Sequence, residues 1–273
     1  MEPNHFIYWD VSPEIFRIGI FALRWYSLMF ALAFFIGLQM ISWMFRREAK
    51  PMKDVDQLFM LVLAGTIVGA RLGHCLFYDP AWYLSHPLEI LKIWEGGLAS
   101  HGGAIGILTA MYLYSRKRPD QPYLWVLDRI VVPIALAAVF IRIGNLFNSE
   151  IVGKPTTVAW AFVFARVDNL PRHPAQLYEA VMYAVIFVLL LRLYRRYSPN
   201  IPHGYLLGLF LITIFGSRFL VEFLKVRQEA YGDLLPLSTG QWLSIPAVIA
   251  GAYLLQRALS ARKTHTKAKK QKR

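Results

Sequence analysis

The sequence predicts an all-α polytopic membrane protein, with about seven transmembrane helices and a small extracytoplasmic head between helices four and five. Three observations point there. Of 273 residues, 56% are apolar and only 17% charged, whereas about a quarter of a soluble domain is charged. Apolar stretches recur seven times, each near the roughly 20 residues that cross about 30 Å of hydrocarbon. The Lys and Arg residues between those stretches fall unevenly on the two faces the spans define.

The spans run approximately over Ile18–Phe45, Leu58–Phe77, Leu98–Tyr114, Ile130–Phe147, Leu177–Tyr194, Tyr205–Phe223 and Leu237–Gln256. Seven such runs cannot pack into the core of a soluble domain of this size. The first is not a cleavable signal peptide, because Met1–Phe16 has no basic n-region and the apolar run is too long. One face collects nineteen cations: Arg46, Arg47, Lys50, Lys53, Arg116, Lys117, Arg118, Arg129, Arg192, Arg195, Arg196 and eight more from Arg257 to Arg273. The other holds seven: Arg17, Lys92, Lys154, Arg166, Arg172, Lys225 and Arg227. This bias puts the N-terminus outside and the C-terminus in the cytoplasm. The organisation expected is one membrane domain over residues 1–256, with the head at 148–174 and a basic cytoplasmic tail at 257–273.

Composition excludes several function classes. Aromatics at 15% rule out disorder, and the single cysteine, Cys75, rules out a disulfide framework or a multi-thiolate metal site. The net charge of +13 is concentrated in the acid-free tail. That placement suits an anionic membrane face rather than a nucleic-acid groove. No His-Glu-x-x-His, nucleotide loop, paired aspartates or haem signature is present, so neither a metal nor another cofactor is expected.

Four arginines remain: Arg24, Arg71, Arg142 and Arg218 lie within or at the edge of apolar spans. A charge near the bilayer centre costs roughly 2.5–3.5 kcal/mol on insertion scales. It persists where it faces a polar cavity, pairs with an acid, binds an anion or snorkels from a helix end. On helix two, Gly65-xxx-Gly69-xxx-Gly73 beside Arg71 is a helix-packing stripe. His74 and Cys75 follow it, but neighbours on a helix point about 100° apart and make a poor nucleophile pair. On helix three, His101 sits between Ser100 and Gly102-Gly103. Imidazole titrates near neutral pH and can act as a general base. Gly102-xxx-Gly106 fits a helix-packing role equally well.

The densest polar cluster closes helix four: Arg142, Asn145, Asn148, Glu150 and Gly153. The first three are spaced by three, so they share a helix face. One guanidinium and two carboxamides can hold a phosphate, and Glu150 can orient Arg142 or pair with another arginine. Amides capping a helix end are the plainer alternative, although four polar groups at the end of a span exceed what a cap needs. The following loop is a cap of turns with a strand expected over Val158–Arg166. Tyr78–Glu95 carries Trp82, Tyr83 and Trp94, residues of an interfacial belt. His173-Pro174-Ala175-Gln176-Leu177-Tyr178-Glu179 opens helix five, with Pro174, Gln176 and Glu179 suited to a polar first turn. On helix six, Arg218 and Glu222 stand four apart. They either pair within the helix or face the same outer cavity as Arg142.

The cluster Arg142–Gly153, with His101-Gly102-Gly103 upstream and Arg218-x-x-x-Glu222 downstream, closely resembles the bacterial prolipoprotein diacylglyceryl transferases. The resemblance runs from Trp25-Tyr26 to about Glu222 and rests most on Gly144-Asn145-Leu146-Phe147-Asn148-x-Glu150-x-x-Gly153. It implies an enzyme of the bacterial inner membrane. Such an enzyme moves the diacylglyceryl group of phosphatidylglycerol onto the lipobox cysteine thiol of a preprolipoprotein signal peptide, forming a thioether and releasing glycerol phosphate. Residues it implicates map to Tyr26, His101, Arg142, Asn145, Glu150, Gly153, Arg218 and Glu222. It also implies a tyrosine about one turn before the helix-six arginine, where this chain has Ile214. The chemistry expected has His101, Arg142 and Arg218 in catalysis, with Tyr26, Arg142, Asn145, Asn148, Glu150, Gly153 and Glu222 binding substrate. Rival readings are a transporter or binding protein for anionic lipids, and another headgroup enzyme such as a phosphatase. No inverted repeat is evident, and the polar groups gather on one side rather than at the midplane.

Overall fold

The protein is described here by a computed structural model covering residues 6–19, 21–226 and 236–271. Ile20 of the first expected span, the outer-face Arg227, and Lys272 and Arg273 of the tail lie outside the described residues. The chain is a mostly helical polytopic membrane protein. Among the described residues, six helices are long and apolar enough to cross a bilayer: Trp25–Arg47 (α1), Met52–Phe77, Tyr123–Asn148, Ala175–Tyr197, Tyr205–Leu224 and Thr239–Arg262. The remaining expected span, Leu98–Tyr114, folds as a helix of 16 residues, Ser100–Ser115. At 1.5 Å per residue it is about 24 Å long, short of the hydrocarbon thickness.

Two compact units divide the chain: Ile41–Leu127 forms one, and the residues up to Met40 together with those from Asp128 onward form the other. In the first, α2 (Met52–Phe77), α3 (Pro80–Ser85) and α4 (Ser100–Ser115) follow one another. The α2 and α4 helices run antiparallel along a glycine seam. A methyl group added to Gly65 would lie 2.6 Å from the Gly106 carbonyl oxygen, and one on Gly73 would lie 2.6 Å from the Gly102 Cα. Backbone touches backbone there because no side chain intervenes, which is how helices associate in lipid. Both glycine stripes of the sequence are therefore halves of one seam.

Arg71 is almost wholly buried beside that seam. Its guanidinium donates to four backbone carbonyls, those of Glu89 (2.5 Å), Ile90 (2.9 Å), Gly96 (2.6 Å) and Gly97 (3.2 Å), and lies 5.1 Å from the Tyr83 ring centroid. The Ala99 amide then donates to the Ala70 carbonyl at 2.9 Å. Arg71 thus serves the connection between α3 and α4, whose two short 3₁₀ turns, Pro87–Leu91 and Ile93–Glu95, are too brief to satisfy all its carbonyls.

In the other unit the chain opens with β1 (Ile7–Trp9) and a hairpin of β2 (Glu14–Ile18) and β3 (Phe21–Arg24). The first span therefore begins at Trp25, not Ile18. Gly19 takes φ +60° at the turn, and Glu14 binds Arg17 at 2.6 Å and Arg24 at 3.7 Å. Arg24 is consequently an exposed strand residue. The expected strand Val158–Arg166 shortens to β4 (Phe162–Phe164), which pairs in parallel with β1 and antiparallel with β5 (Pro171–Arg172). The head is thus joined by the N-terminal strand, which a reading of the 148–174 segment alone does not reveal. Phe162 and Phe164 bury against Leu146 and Trp9, and the Trp9 indole donates to the Leu146 carbonyl at 3.1 Å. This ties the cap to the end of α5 (Tyr123–Asn148).

Helices α6 (Ala175–Tyr197), α7 (Tyr205–Val221) and α8 (Thr239–Gln271) complete this unit. Asp128 of α5 caps α7, its carboxylate accepting the Gly204 and Leu207 amides at 2.7 and 2.9 Å. The α8 helix runs without interruption through residue 256, so the basic tail begins as a continuation of the last span.

The seam sets a test. Gly69→Leu should force α2 and α4 apart and lower stability by on the order of 3 kcal/mol, read as a lower melting temperature in detergent. Gly216→Ala, where nothing lies within 4 Å of the added methyl, should melt at or above the wild-type temperature.

Candidate functional site

The remaining two intramembrane arginines meet very different surroundings. Arg142 points from α5 toward α6, where its Nε lies 2.9 Å from Glu179 Oε2. Its Nη1 donates to Asn145 Oδ1 at 3.1 Å, one turn further along the same helix. Glu179 has 0% of its surface exposed, Arg142 9% and Lys225 5%. Lys225 Nζ donates to the other Glu179 oxygen at 2.9 Å, and the Tyr183 hydroxyl donates to that same oxygen at 3.0 Å. One carboxylate without access to water therefore carries two cations and a phenol. Such a cluster is tolerable inside a membrane because opposite charges stand within ion-pair distance of each other.

Lys225 also reaches Glu222 at 3.2 Å, and Glu222 accepts from Ser238 Oγ at 3.0 Å. The intrahelical Arg218–Glu222 pair allowed by the sequence does not form. The α7 helix ends at Val221, and a 3₁₀ turn at Glu222–Leu224 redirects the acid toward Lys225. Arg218 is left half-buried with no hydrogen bond or ion pair among the described residues, within electrostatic reach of the Tyr183 phenol.

Glu150 is exposed just beyond the end of α5 and does not touch Arg142 directly. Asn145 donates to one of its oxygens and Asn148 to the other, both at 3.1 Å. Gln176, wholly buried at the start of α6, donates to the Glu150 carbonyl at 2.6 Å. The residues on either side of Glu150 take left-handed backbone, with φ +55° at Ser149 and +57° at Ile151. For a β-branched residue this is an outlier, and strain of this kind costs on the order of 1–3 kcal/mol per residue. The three amides, Asn145, Asn148 and Gln176, hold the turn in that shape and fix the carboxylate.

Two glycines admit the surrounding chain. A methyl group on Gly144 would lie 2.8 Å from the Tyr26 ring, so Tyr26 packs directly on α5 beside the cluster. At Gly153 it would lie 2.5 Å from the His173 carbonyl oxygen and 3.0 Å from that of Leu224. The Lys154 amide donates to Leu224 at 2.7 Å in the same crossing, which brings Lys225 over Glu179. In the cap, Arg172 donates to the Gly153 carbonyl at 3.1 Å and forks onto Asp168, holding that carboxyl below its usual range.

The structure thus gathers Tyr26, Arg142, Asn145, Asn148, Glu150, Gly153, Arg218 and Glu222 within one unit. His101 belongs to the other unit, exposed in the first turn of α4. Sequence reasoning missed Glu179 and Lys225. Glu179 reads as a first-turn acid and Lys225 as a loop cation. The signal available was that an acid opens an apolar helix whose depth matches that of an unpaired arginine.

The profile of the prolipoprotein diacylglyceryl transferase family matches residues 13–257. Among relatives, a phosphatidylglycerol–prolipoprotein diacylglyceryl transferase of Chloroherpeton thalassium is 56% identical over 255 residues, covering 93% of this chain and 95% of its own length. Those of Tolumonas auensis and Bacteroides fragilis are 48% and 44% identical, covering 91% of this chain and 96% and 94% of their own lengths.

The buried carboxylate generates a double-mutant test. Glu179→Ala removes the acid paired with Arg142 and one of the two paired with Lys225, and should cost about 3–5 kcal/mol. Adding Lys225→Met should recover part of that loss, so the two changes together destabilise by less than the sum measured from the single variants.

Proposed function

Because the chain belongs to the prolipoprotein diacylglyceryl transferase family, we propose that it transfers the diacylglyceryl group of phosphatidylglycerol to the lipobox cysteine of a preprolipoprotein. The enzyme sits in the bacterial inner membrane with its N-terminus and head outside and its C-terminus in the cytoplasm, the orientation supported by the Lys/Arg bias. Residues 1–256 form the catalytic domain, counting α4 as a seventh crossing, and 257–273 the basic tail. No cofactor is called for, since the leaving group is already a phosphate ester.

The observation that carries this reading is Arg218. It keeps a full positive charge inside an apolar helix with no partner among the described residues, beside a cluster in which the other cations are matched. An anionic ligand supplies what the protein leaves out. The phosphate of phosphatidylglycerol takes that place, with Arg142 oriented toward it by Glu179 and Asn145. Tyr26, Asn145, Asn148, Glu150, Gly153 and Glu222 line and shape the lipid's site.

In the reaction the cysteine sulfur attacks the glycerol carbon that bears the phosphate oxygen. The carbon–sulfur bond forms as the carbon–oxygen bond breaks, and glycerol phosphate departs with the electron pair. Charge grows on the departing oxygen, where Arg142 and Arg218 stabilise it. The thiol, with a pKa of about 8.5, gives its proton to a base, the role assigned to His101. The first turn of α4 suits this task. Its backbone is pinned through Ala99, and the His101 side chain is exposed.

A lipobox peptide incubated with phosphatidylglycerol and the purified protein should gain one diacylglyceryl mass without metal or nucleotide. Failure to gain it overturns the proposal. Arg218→Gln should lose transfer by about 10²-fold or more while melting near the wild-type temperature, because Arg218 makes no hydrogen bond or ion pair among the described residues. Arg142→Gln should lose both. An Arg218→Gln protein that transfers normally would remove the carrying observation.

The role of His101 separates by pH. With His101 as base, His101→Gln should be slow at pH 7 and recover as pH rises past the thiol's pKa. The same fractional loss at every pH would mean that His101 only positions the lipid or packs α4.

A further inference from the structure

Around Glu150, three buried oxygens have no hydrogen-bond partner among the described residues: Gln176 Oε1, Asn148 Oδ1 and Ser149 Oγ. Buried polar atoms are nearly always paired, and an unpaired one costs on the order of 1–3 kcal/mol. The two amides are not free to turn round and cure this. Gln176 must present its NH₂ to the Glu150 carbonyl at 2.6 Å, and Asn148 must present its NH₂ to the Glu150 carboxylate at 3.1 Å. Both acceptors fix the amides with their oxygens turned away. Ser149 is locked beside them at φ +55°.

What the two amide oxygens lack is donors, while the Ser149 hydroxyl can accept one or give its own. A phosphodiester, ionised at neutral pH, offers only acceptors, as do the ester carbonyls of a diacylglycerol. The lipid substrate in the reading above carries donors in one place, the two hydroxyls of its headgroup glycerol. We propose that Gln176, Asn148 and Ser149 form a polyol subsite that accepts those hydroxyls and selects phosphatidylglycerol among anionic phospholipids. This rests on the transferase reading and extends it from the phosphate to the far end of the headgroup. The placement agrees with it. Arg142 is linked through Asn145 and Glu150 to Asn148 by contacts of 3.1 Å each, so the orphan oxygens lie a short step beyond the charge that faces the phosphate. Hydroxyl recognition by buried acceptors is also the arrangement that discriminates most strongly, because a ligand without the hydroxyl leaves them unpaired.

The test compares two lipids in mixed micelles with a lipobox peptide. One is phosphatidylglycerol. The other is phosphatidylpropanol, with the same charge and chains but no headgroup hydroxyl. Wild-type protein should favour phosphatidylglycerol by about 10- to 100-fold in kcat/KM. In Gln176→Met and Asn148→Leu that ratio should fall toward one. The ratio is internal to each variant, so a partly folded preparation lowers both lipids alike and leaves it unchanged. Ser149→Ala, which removes a hydroxyl with no bond among the described residues, should reduce the ratio without lowering the melting temperature. A wild-type ratio near one overturns the subsite while leaving the transferase reading intact. Variants that keep the full ratio also overturn it, since the amides then only brace Glu150. If the wild type modifies the peptide from neither lipid, the transferase reading itself fails and this inference with it.

Discussion

A carboxylate that water cannot reach organises the larger of the two units. Glu179 draws Arg142 from α5 and Lys225 from the segment after α7, and Tyr183 of α6 completes its shell. Glu179 is the group these three share, so it fixes each against the others. Asn145 is aligned by Arg142, Glu150 by Asn145, and Glu222 by Lys225. The cap serves the same end. Gly153 lets His173 and Leu224 cross closely enough to carry Lys225 inward. Removing the acid would therefore disturb helices, head and site together, although it lies in only one helix.

Charge matching around that acid is also what makes its exceptions informative. Arg142 and Lys225 share Glu179, while Glu150 is met only by neutral amides and Arg218 by nothing among the described residues. A site already balanced would have little to gain from a charged ligand. Here the imbalance lies at an arginine and at a turn held in left-handed backbone at Ser149 and Ile151. Strain concentrated in this way is stored by the surrounding hydrogen bonds and is characteristic of positions kept for a ligand.

Much of this was legible in the residues. Apolar length located the crossings, and the insertion cost of arginine singled out Arg142 and Arg218. Spacing by three put Arg142 and Asn145 in contact. The rest depends on partners distant in sequence. Whether Glu179 is a helix cap or the hub of a buried network turns on Lys225, 46 residues later. The start of the first span was misread because Ile18–Arg24 is apolar enough for a helix, yet pairs as a hairpin once Glu14 draws in Arg17 and Arg24. Likewise the strand in the head is set by pairing with Ile7–Trp9, which no local pattern announces. Arg71 looked like Arg142 in composition and proved to serve the backbone alone.

That use of Arg71 has a consequence for where the chain can go. An irregular connection ordinarily stays in water because its carbonyls need hydrogen. Between Glu89 and Gly97 one guanidinium supplies that hydrogen to four carbonyls beside two short 3₁₀ turns, and a cation bound to carbonyl dipoles is itself relieved of needing an acid. The connection in effect carries its own solvent. It can lie flush with the apolar zone, presenting Leu88, Leu91 and Trp94 outward, where a loop relying on water would have to rise clear of the lipid.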